Sequence, residues 1–364
     1  MSTYVLKFGG SSVATVARIE NVTSIIQNLH EKGHRLIVVV SAMQGVTNQL
    51  LALARNFTDT NYNRESDVII STGEQVSSGL LALCLQKRGI SAKSLQGWQI
   101  PIVTESLFGE SSIKSVSTDL LLGGNIIPVI SGFQGISENN EITTIGRGGS
   151  DASAVAVANA VMADECFIYT DVDGIYTADP RIVLNAQKLQ CISYEEMAEL
   201  SFYGAKVLQH KSVNLAHDHN VKLRVLSSFS SDGVGTIVDN LDPKEITGIA
   251  HNISSILIET EKISEFIKIF EQRNINFIKL SHKQVIVDKS HKADIQDIMQ
   301  RSGADVKFDE NIGVITVVGQ RNNIQLSKNI HVKYRRVSER SSSIVVPFQQ
   351  TEIAIVEIHR KLFQ

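Results

Sequence analysis

Residues 143–181 read TTIGRGGSDASAVAVANAVMADECFIYTDVDGIYTADPR, and the reading of this stretch decides the fold. It opens on a tight turn, Arg147-Gly148-Gly149-Ser150-Asp151, feeding an alanine-rich helix predicted to run to Ala163. Ser150 or Asp151 can cap that helix, and the glycines let backbone N–H groups approach a ligand closely. A helix start of this kind favours an anion, and Arg147 beside it can grip a carboxylate or phosphate through two parallel hydrogen bonds. A short apolar strand at 166–170 follows. Beyond it lie an acidic loop, Asp171-Val172-Asp173-Gly174, and a second loop closing on Asp179-Pro180-Arg181. Helix, strand and loop in this order make half of a parallel α/β unit, whose ligands bind at the carboxyl ends of its strands. A lone GG or a lone DxD is most often an ordinary turn with solvated aspartates. Together on one unit they point to a site for an anion and a nucleotide.

The chain around this stretch has 364 residues, 43% apolar and 20% charged, the profile of a globular protein with two or more domains. Its formal net charge of −3, from 35 basic and 38 acidic residues, offers no bulk attraction to nucleic acid or to a membrane surface. Cys84, Cys166 and Cys191 lie far apart in apolar stretches, with no CxxC pair, and read as buried free thiols of a reducing compartment. A strand at 3–8 leaves no room for a signal peptide, and no apolar run reaches membrane-spanning length. The expected localisation is cytoplasmic.

Toward the N-terminus, residues 4–12 (YVLKFGGSS) read as a strand broken by Gly9 and Gly10, then a helix capped by Ser11 or Ser12 and running to Lys32. This is no Walker A loop, because GxxxxGK[ST] is missing. Lys7 instead precedes the glycines, at the strand end, where its ammonium can reach a transferred phosphoryl group. A lysine there is commonly a surface residue, and the GGSS beside it shifts that balance. Residues 35–41 (RLIVVVS) form the continuous apolar run of a strand buried on both faces. Ser41 and, past Gly45, Thr47 either bind a small polar substrate or cap the next helix. Residues 69–74 (IISTGE) lead into a helix to Arg88 predicted to bury Val76, Leu80, Leu83 and Cys84. Glu74 in its first turn is either favoured by the helix dipole or an acceptor for a substrate ammonium.

Residues 56–65 read as a polar surface loop, 91–96 and 126–133 as further strands, and 142–145 as a short one. Helices at 193–201 and 204–220, the second carrying Lys206, precede a strand at 221–227 that closes the sheet. Alternating strands and helices over residues 1–240 fit one large doubly wound domain. His217 and His219, two apart on a helix, point to different sides and read as surface residues rather than metal ligands.

After a linker at 228–245 the character changes. Residues 246–312 read βαββαβ, the ferredoxin-like pattern, with strands at 253–259, 277–281, 284–287 and 306–308 and helices ending at Arg273 and Arg301. Residues 313–364 repeat it poorly: strands at 313–318 and 343–346 and a helix at 352–361, with no good helix between the strands. The cluster Lys333, Arg335, Arg336, Arg340 reads as a solvated face.

KFGGSS, VVVSAM, STGE, GRGGSD, YTDVDGIYTADPR and GAKV, in this order, make residues 1–240 resemble the aspartate kinases of the amino acid kinase family. The resemblance implies an αβα sandwich with a mostly parallel sheet, and transfer of the γ-phosphoryl of ATP to L-aspartate. By motif, Lys7, Gly9, Gly10 and Ser11 would hold the phosphates, and Lys7 and Asp151 would be catalytic. Ser41, Thr47, Glu74, Arg147 and Ser150 would meet aspartate, with Glu74 on its ammonium and Arg147 on its α-carboxylate. Thr170, Asp171, Tyr176, Asp179, Arg181 and Lys206 would contact the nucleotide, and Mg²⁺ would bridge its phosphates. The C-terminal part resembles the family's tandem ACT domains, which usually form a homodimer and bind lysine or threonine. Its first module lacks the usual PG-type turn, reading IETEKISEF at 258–266, and the second has lost a helix, so ordinary feedback inhibition is not expected. The competing readings are a relative acting on another acidic substrate, such as N-acetylglutamate, and an inactive amino-acid sensor. The acetylated substrate has no free ammonium for Glu74, and the intact Lys7, Arg147, Asp151 and Asp171 speak against the sensor.

Overall fold

The computed structural model describes residues 1–363 except 59–62, 147, 231–232, 243, 274, 320–323 and 325. Arg147 therefore lies outside the described residues. The chain forms two compact units, one of Met1–Ile175, Leu189–Tyr194 and Val207–Leu241, the other of Tyr176–Lys188, Glu195–Lys206 and Asp242–Gln364. Two short segments ahead of residue 240 thus cluster with the C-terminal part.

The first unit is built on β1 (Thr3–Phe8), α1 (Val16–Glu31), β2 (Arg35–Val40), α2 (Val46–Ala54), α3 (Arg64–Ile70), α4 (Thr72–Lys87), β3 (Ala92–Leu95), β4 (Ile102–Thr104), β5 (Ile113–Val116), β6 (Ile127–Ser131), β7 (Gln134–Ser137), β8 (Ile142–Thr144), α5 (Gly149–Ala160), β9 (Glu165–Thr170) and β10 (Cys191–Ser193). After α6 (Tyr194–Phe202), most of which belongs to the second unit, it is completed by α7 (His210–Asp218), β11 (Leu223–Ser227) and β12 (Thr236–Asp239). Its main sheet runs β10-β12-β11-β9-β1-β2-β6-β3, parallel except for the β11–β12 pair. β1 lies where the order reverses, with β2 on one side and β9 on the other. Ligands bind at such a switch point, outside the carboxyl ends of the strands. The apolar runs of β1, β2 and β6 are buried against α1 and α4 through Leu6, Phe8, Val22, Ile26, Val38, Val40, Leu81, Leu85 and Val129.

Several local expectations are corrected. α1 starts at Val16, capped by the Thr15 side chain, so neither Ser11 nor Ser12 is its cap; residues 10–13 turn instead. α3 begins at Arg64, inside the expected 56–65 loop, and runs on into α4. That stretch, Arg64–Lys87, is long and apolar enough to cross a membrane, contrary to the sequence reading, though half of its most apolar window is buried inside the protein. α4 also faces the other way. Val76, Leu80 and Leu83 are exposed, and the buried stripe is Gly73, Glu74, Ser77, Ser78, Leu81, Ala82 and Leu85. The spacing of that stripe is helical, but its first half is polar, which hid it from a search for apolar periodicity. The expected linker contains β12, which pairs with both β10 and β11, so 221–227 does not close the sheet. A four-stranded sheet, β5-β4-β7-β8, was anticipated only at β8. Finally, α7 starts at His210, leaving Lys206 in the loop before it.

The second unit holds β13 (Gly248–Asn252), β14 (Ser255–Glu259), α8 (Ile263–Gln272), β15 (Phe277–Lys279), β16 (Gln284–Asp288), α9 (Lys292–Ser302), β17 (Lys307–Asp309), β18 (Ile312–Val318), β19 (Tyr334–Val337), β20 (Ser341–Pro347) and α10 (Thr351–Phe363). From β14 to β17 the βαββαβ pattern folds into an antiparallel sheet, β15-β16-β14-β17. Its apolar face is covered by Phe266, Phe270, Ile295 and Ile298 from the two helices. The second sheet is β13-β18-β20-β19. Its edge strand β13 comes from ahead of the first module, and no helix is found among the described residues between β18 and β19. The basic cluster is less solvated than expected. Arg336 donates to the Tyr203 hydroxyl, Arg335 to the Ile324 carbonyl, and Lys333 pairs with Asp309 at 2.6 Å.

Candidate active site

Lys7 sits one residue from the carboxyl end of the central strand, in register with Val39 of β2 and Ile168 of β9. It is only 8% exposed, and its Nζ lies 2.5 Å from Oδ1 of Asp151 in the first turn of α5. A charge taken out of water in this way is tolerated only when paired, and the two residues come from elements 144 positions apart in sequence. The turn after β1 makes room for this. The Gly9 N–H donates to the Tyr169 carbonyl at 3.1 Å, and a side chain on Gly9 would come within 3.5 Å of the Lys7 ammonium. Gly10 is held against the Ala42 carbonyl, where a β-carbon would stand at 3.0 Å.

α5 approaches the sheet closely because its first turns are Gly, Ser, Asp and Ala. Residues 149–158 are buried without exception. Gly148, at φ 75°, caps it with no side-chain hydrogen bond, which corrects the expectation that Ser150 or Asp151 would do so. Asp151 instead spends its carboxylate on Lys7. Ser150 is 7% exposed and packs on Gly132 at the end of β6. Next to Gly132, Phe133 holds φ 68°, a conformation rare for a bulky residue, with its N–H on the Ser153 hydroxyl and its ring against Gly149. Sequence reading passed over Phe133. A bulky residue between two glycines in GFQG was the available signal.

Glu74 lies 3% exposed in the first turn of α4. Its Oε1 accepts the Ala42 N–H at 2.9 Å, whereas its Oε2 is buried with no partner. Burial raises its pKa from 4.5 to about 7 against the pull of that backbone bond. Ser41 stands nearby: its carbonyl accepts the Ser77 hydroxyl at 2.7 Å. The Ser131 hydroxyl bonds Ser78 at 2.9 Å and Gln96 at 2.6 Å, so hydroxyls line the inner side of this helix start. Thr47 is half-buried in the first turn of α2.

Thr170 ends β9, and its hydroxyl donates to the exposed Asp171 carboxylate at 3.0 Å. Ser11 is half-buried in the turn after Gly10. Beside that turn stands a cluster absent from the sequence reading. Ser12 and Ser228 share a hydrogen bond at 2.7 Å, Arg18 and Asn21 both donate to the Ser228 carbonyl, and the Arg18 guanidinium lies 3.5 Å above the Phe229 ring. Its members are more than 200 residues apart, so no local pattern could have announced it.

Tyr176, Asp179, Arg181 and Lys206 belong to the second unit. There the Asp179 carboxylate takes both the Arg181 backbone N–H at 2.9 Å and the guanidinium at 2.7 Å, which holds its pKa below the ordinary value. Lys206 is exposed.

The family model of the amino acid kinase family matches residues 2–227. An aspartokinase of Rickettsia felis is 36% identical over 99% of this chain and 98% of the relative. The aspartokinase of Rickettsia conorii is 45% identical over 70% of this chain and 65% of the relative, so the chain spans just under two thirds of it. The crystal structure of E. coli aspartokinase III in complex with aspartate and ADP, in its R-state, has the same fold, with a TM-score of 0.82 at 23% identity over 100% of both chains.

Proposed function

The chain belongs to the amino acid kinase family, and from that premise we propose that it is an aspartate kinase. In this reaction an oxygen of the β-carboxylate of L-aspartate attacks the γ-phosphorus of ATP. The bond from that phosphorus to the bridging oxygen breaks, ADP leaves, and 4-phospho-L-aspartate remains. A carboxylate nucleophile is already ionised at neutral pH and needs no general base, so positioning and neutralisation of charge suffice. The observation that carries this reading is the buried Lys7–Asp151 pair at the sheet's switch point. Lys7 offers its ammonium to the transferring phosphoryl group, and Asp151 keeps that ammonium aimed. Gly9, Gly10 and Ser11 supply N–H groups to the phosphates, and Thr170 and Asp171 meet the nucleotide. Ser41, Thr47 and Ser150 contact aspartate, and Arg147 takes its α-carboxylate. The unpartnered Oε2 of Glu74 accepts its ammonium.

Among the described residues no three carboxylate, imidazole or thiol groups converge to hold a metal ion by themselves. Mg²⁺ would therefore be carried on the ATP phosphates, its usual mode, where it neutralises charge on the transferring group. A homodimer formed through the ACT-like region is part of the same proposal, and light scattering on the purified protein would test it.

The deciding experiment is acyl phosphate formation from ATP, trapped with hydroxylamine and offered L-aspartate, L-glutamate and N-acetylglutamate in parallel. Hydroxamate from aspartate alone is expected. In Lys7→Ala its rate falls by about 10²- to 10³-fold, the usual effect of removing one group that stabilises transition-state charge, while aspartate still binds. Product from another acceptor instead, or near-normal turnover by Lys7→Ala, would overturn the substrate or the role of Lys7 respectively.

A further inference from the structure

The loop that the family resemblance gives to the nucleotide, residues 176–181, is fastened to the C-terminal helix by a buried polar contact. Thr177 is 3% exposed and held on four sides. Its N–H donates to the Gln187 carbonyl and its carbonyl accepts the Ile249 N–H of β13 at 2.8 Å. Its hydroxyl accepts the Gln187 N–H at 2.9 Å and meets Nε2 of His359 on α10, also at 2.9 Å. His359 is 1% exposed, stacked on Phe363, and its Nδ1 has no partner. Ala178 and Val183 on either side are buried in one core with Ile249, Ile355 and Ile358. The loop is thus packed as part of the second α+β sheet layer.

A buried histidine with one nitrogen unmatched costs free energy that a leucine at the same place would not. Burial also lowers its pKa, keeping it neutral. Packing alone does not explain the residue, whereas setting the Thr177 hydroxyl does. We propose that His359, through its hydrogen bond to Thr177, is a positioning residue for the nucleotide loop, so that α10 of the C-terminal module sets the affinity for ATP. The inference rests on the kinase reading above.

Thr177→Val removes the hydroxyl at nearly constant volume, and Thr177→Ser keeps it. Loss of one buried hydrogen bond, about 1–1.5 kcal/mol, corresponds to a roughly 5- to 10-fold change. Thr177→Val is accordingly expected to raise Kd for ADP and KM for ATP by about that factor, with KM for aspartate changed less than about twofold. Thr177→Ser restores the nucleotide values, and His359→Gln, checked for folding by its thermal transition, weakens nucleotide binding in the same direction. If the unaltered protein binds ADP but Thr177→Val binds it equally well, or if both KM values rise together, His359 has no such role. If the unaltered protein binds no ADP, the kinase reading itself falls, and this inference with it.

Discussion

Glu74 and its unmatched oxygen make a pH experiment decisive at the scale of one residue. Its folded pKa of about 7 lies above the ordinary 4.5, so the folded protein holds this proton more tightly than the unfolded chain. The stability it contributes is complete below about 4.5 and is lost as pH rises through about 7. A substrate ammonium against Oε2 reverses the preference by favouring the carboxylate, so binding expels the proton. Aspartate affinity should therefore rise between pH 5.5 and 8, by at most about tenfold per unit below the folded pKa. Glu74→Gln should bind aspartate more weakly and show a flat profile over that range, by titration calorimetry. An unchanged slope would remove Glu74 from the ammonium. The same variant should also gain relative stability above pH 7, where the wild-type carboxylate is ionised in a dry site.

α5 is the element on which the site depends, because its start must reach the carboxyl end of β1. Two close approaches fix it there. Gly149 lies against Phe133 and Ile145, and Gly132 lies against Ser150, where an added β-carbon would stand 2.9 Å from the serine Cβ and 3.0 Å from its Cα. The second obstacle is backbone, so it cannot rotate away. Gly132→Ala should push the start of α5 off β6, costing about 1–3 kcal/mol as overpacking does and lowering turnover as Asp151 leaves Lys7. Thermal denaturation together with the hydroxamate assay would test this; full activity would show that α5 tolerates the shift. Asp67 supports the same region from α3. Fully buried, it accepts the Gly109 N–H at 3.0 Å and both the N–H and hydroxyl of Thr144, at 2.7 and 2.8 Å, fixing the strand that leads into the glycine turn.

For the whole molecule the open matter is control. The first ferredoxin-like module is complete, yet the turn after its first strand carries Thr260, Glu261 and Lys262, with Glu261 engaged by Lys283, in place of a glycine-containing turn. The second module has its sheet and α10 but, among the described residues, no helix between β18 and β19. We expect lysine and threonine, alone or together at 1 mM, a level of ordinary metabolite affinity, to change the rate by less than about twofold. Strong inhibition by either below that concentration would show that the altered modules still sense them.

By itself the sequence determined the parallel α/β class, the two glycine turns and the lysine ahead of the first, because each rests on local rules: apolar runs, turn chemistry and helix starts. It also carried βαββαβ for 246–312, whose contacts are close in sequence. Tertiary structure alone decided that Asp151 pairs with Lys7 rather than capping α5, and that α4 turns Glu74, Ser77 and Ser78 inward while leaving Val76, Leu80 and Leu83 outside. It also decided that Ser228 braces the first turn, that β12 extends the sheet, and that the 176–181 loop packs on α10. Each of these places polar groups in the interior, where they are stable only with a partner brought from far along the chain. Local patterning registers where apolar surface must go. It carries no record of which distant residue will satisfy a buried charge or hydroxyl.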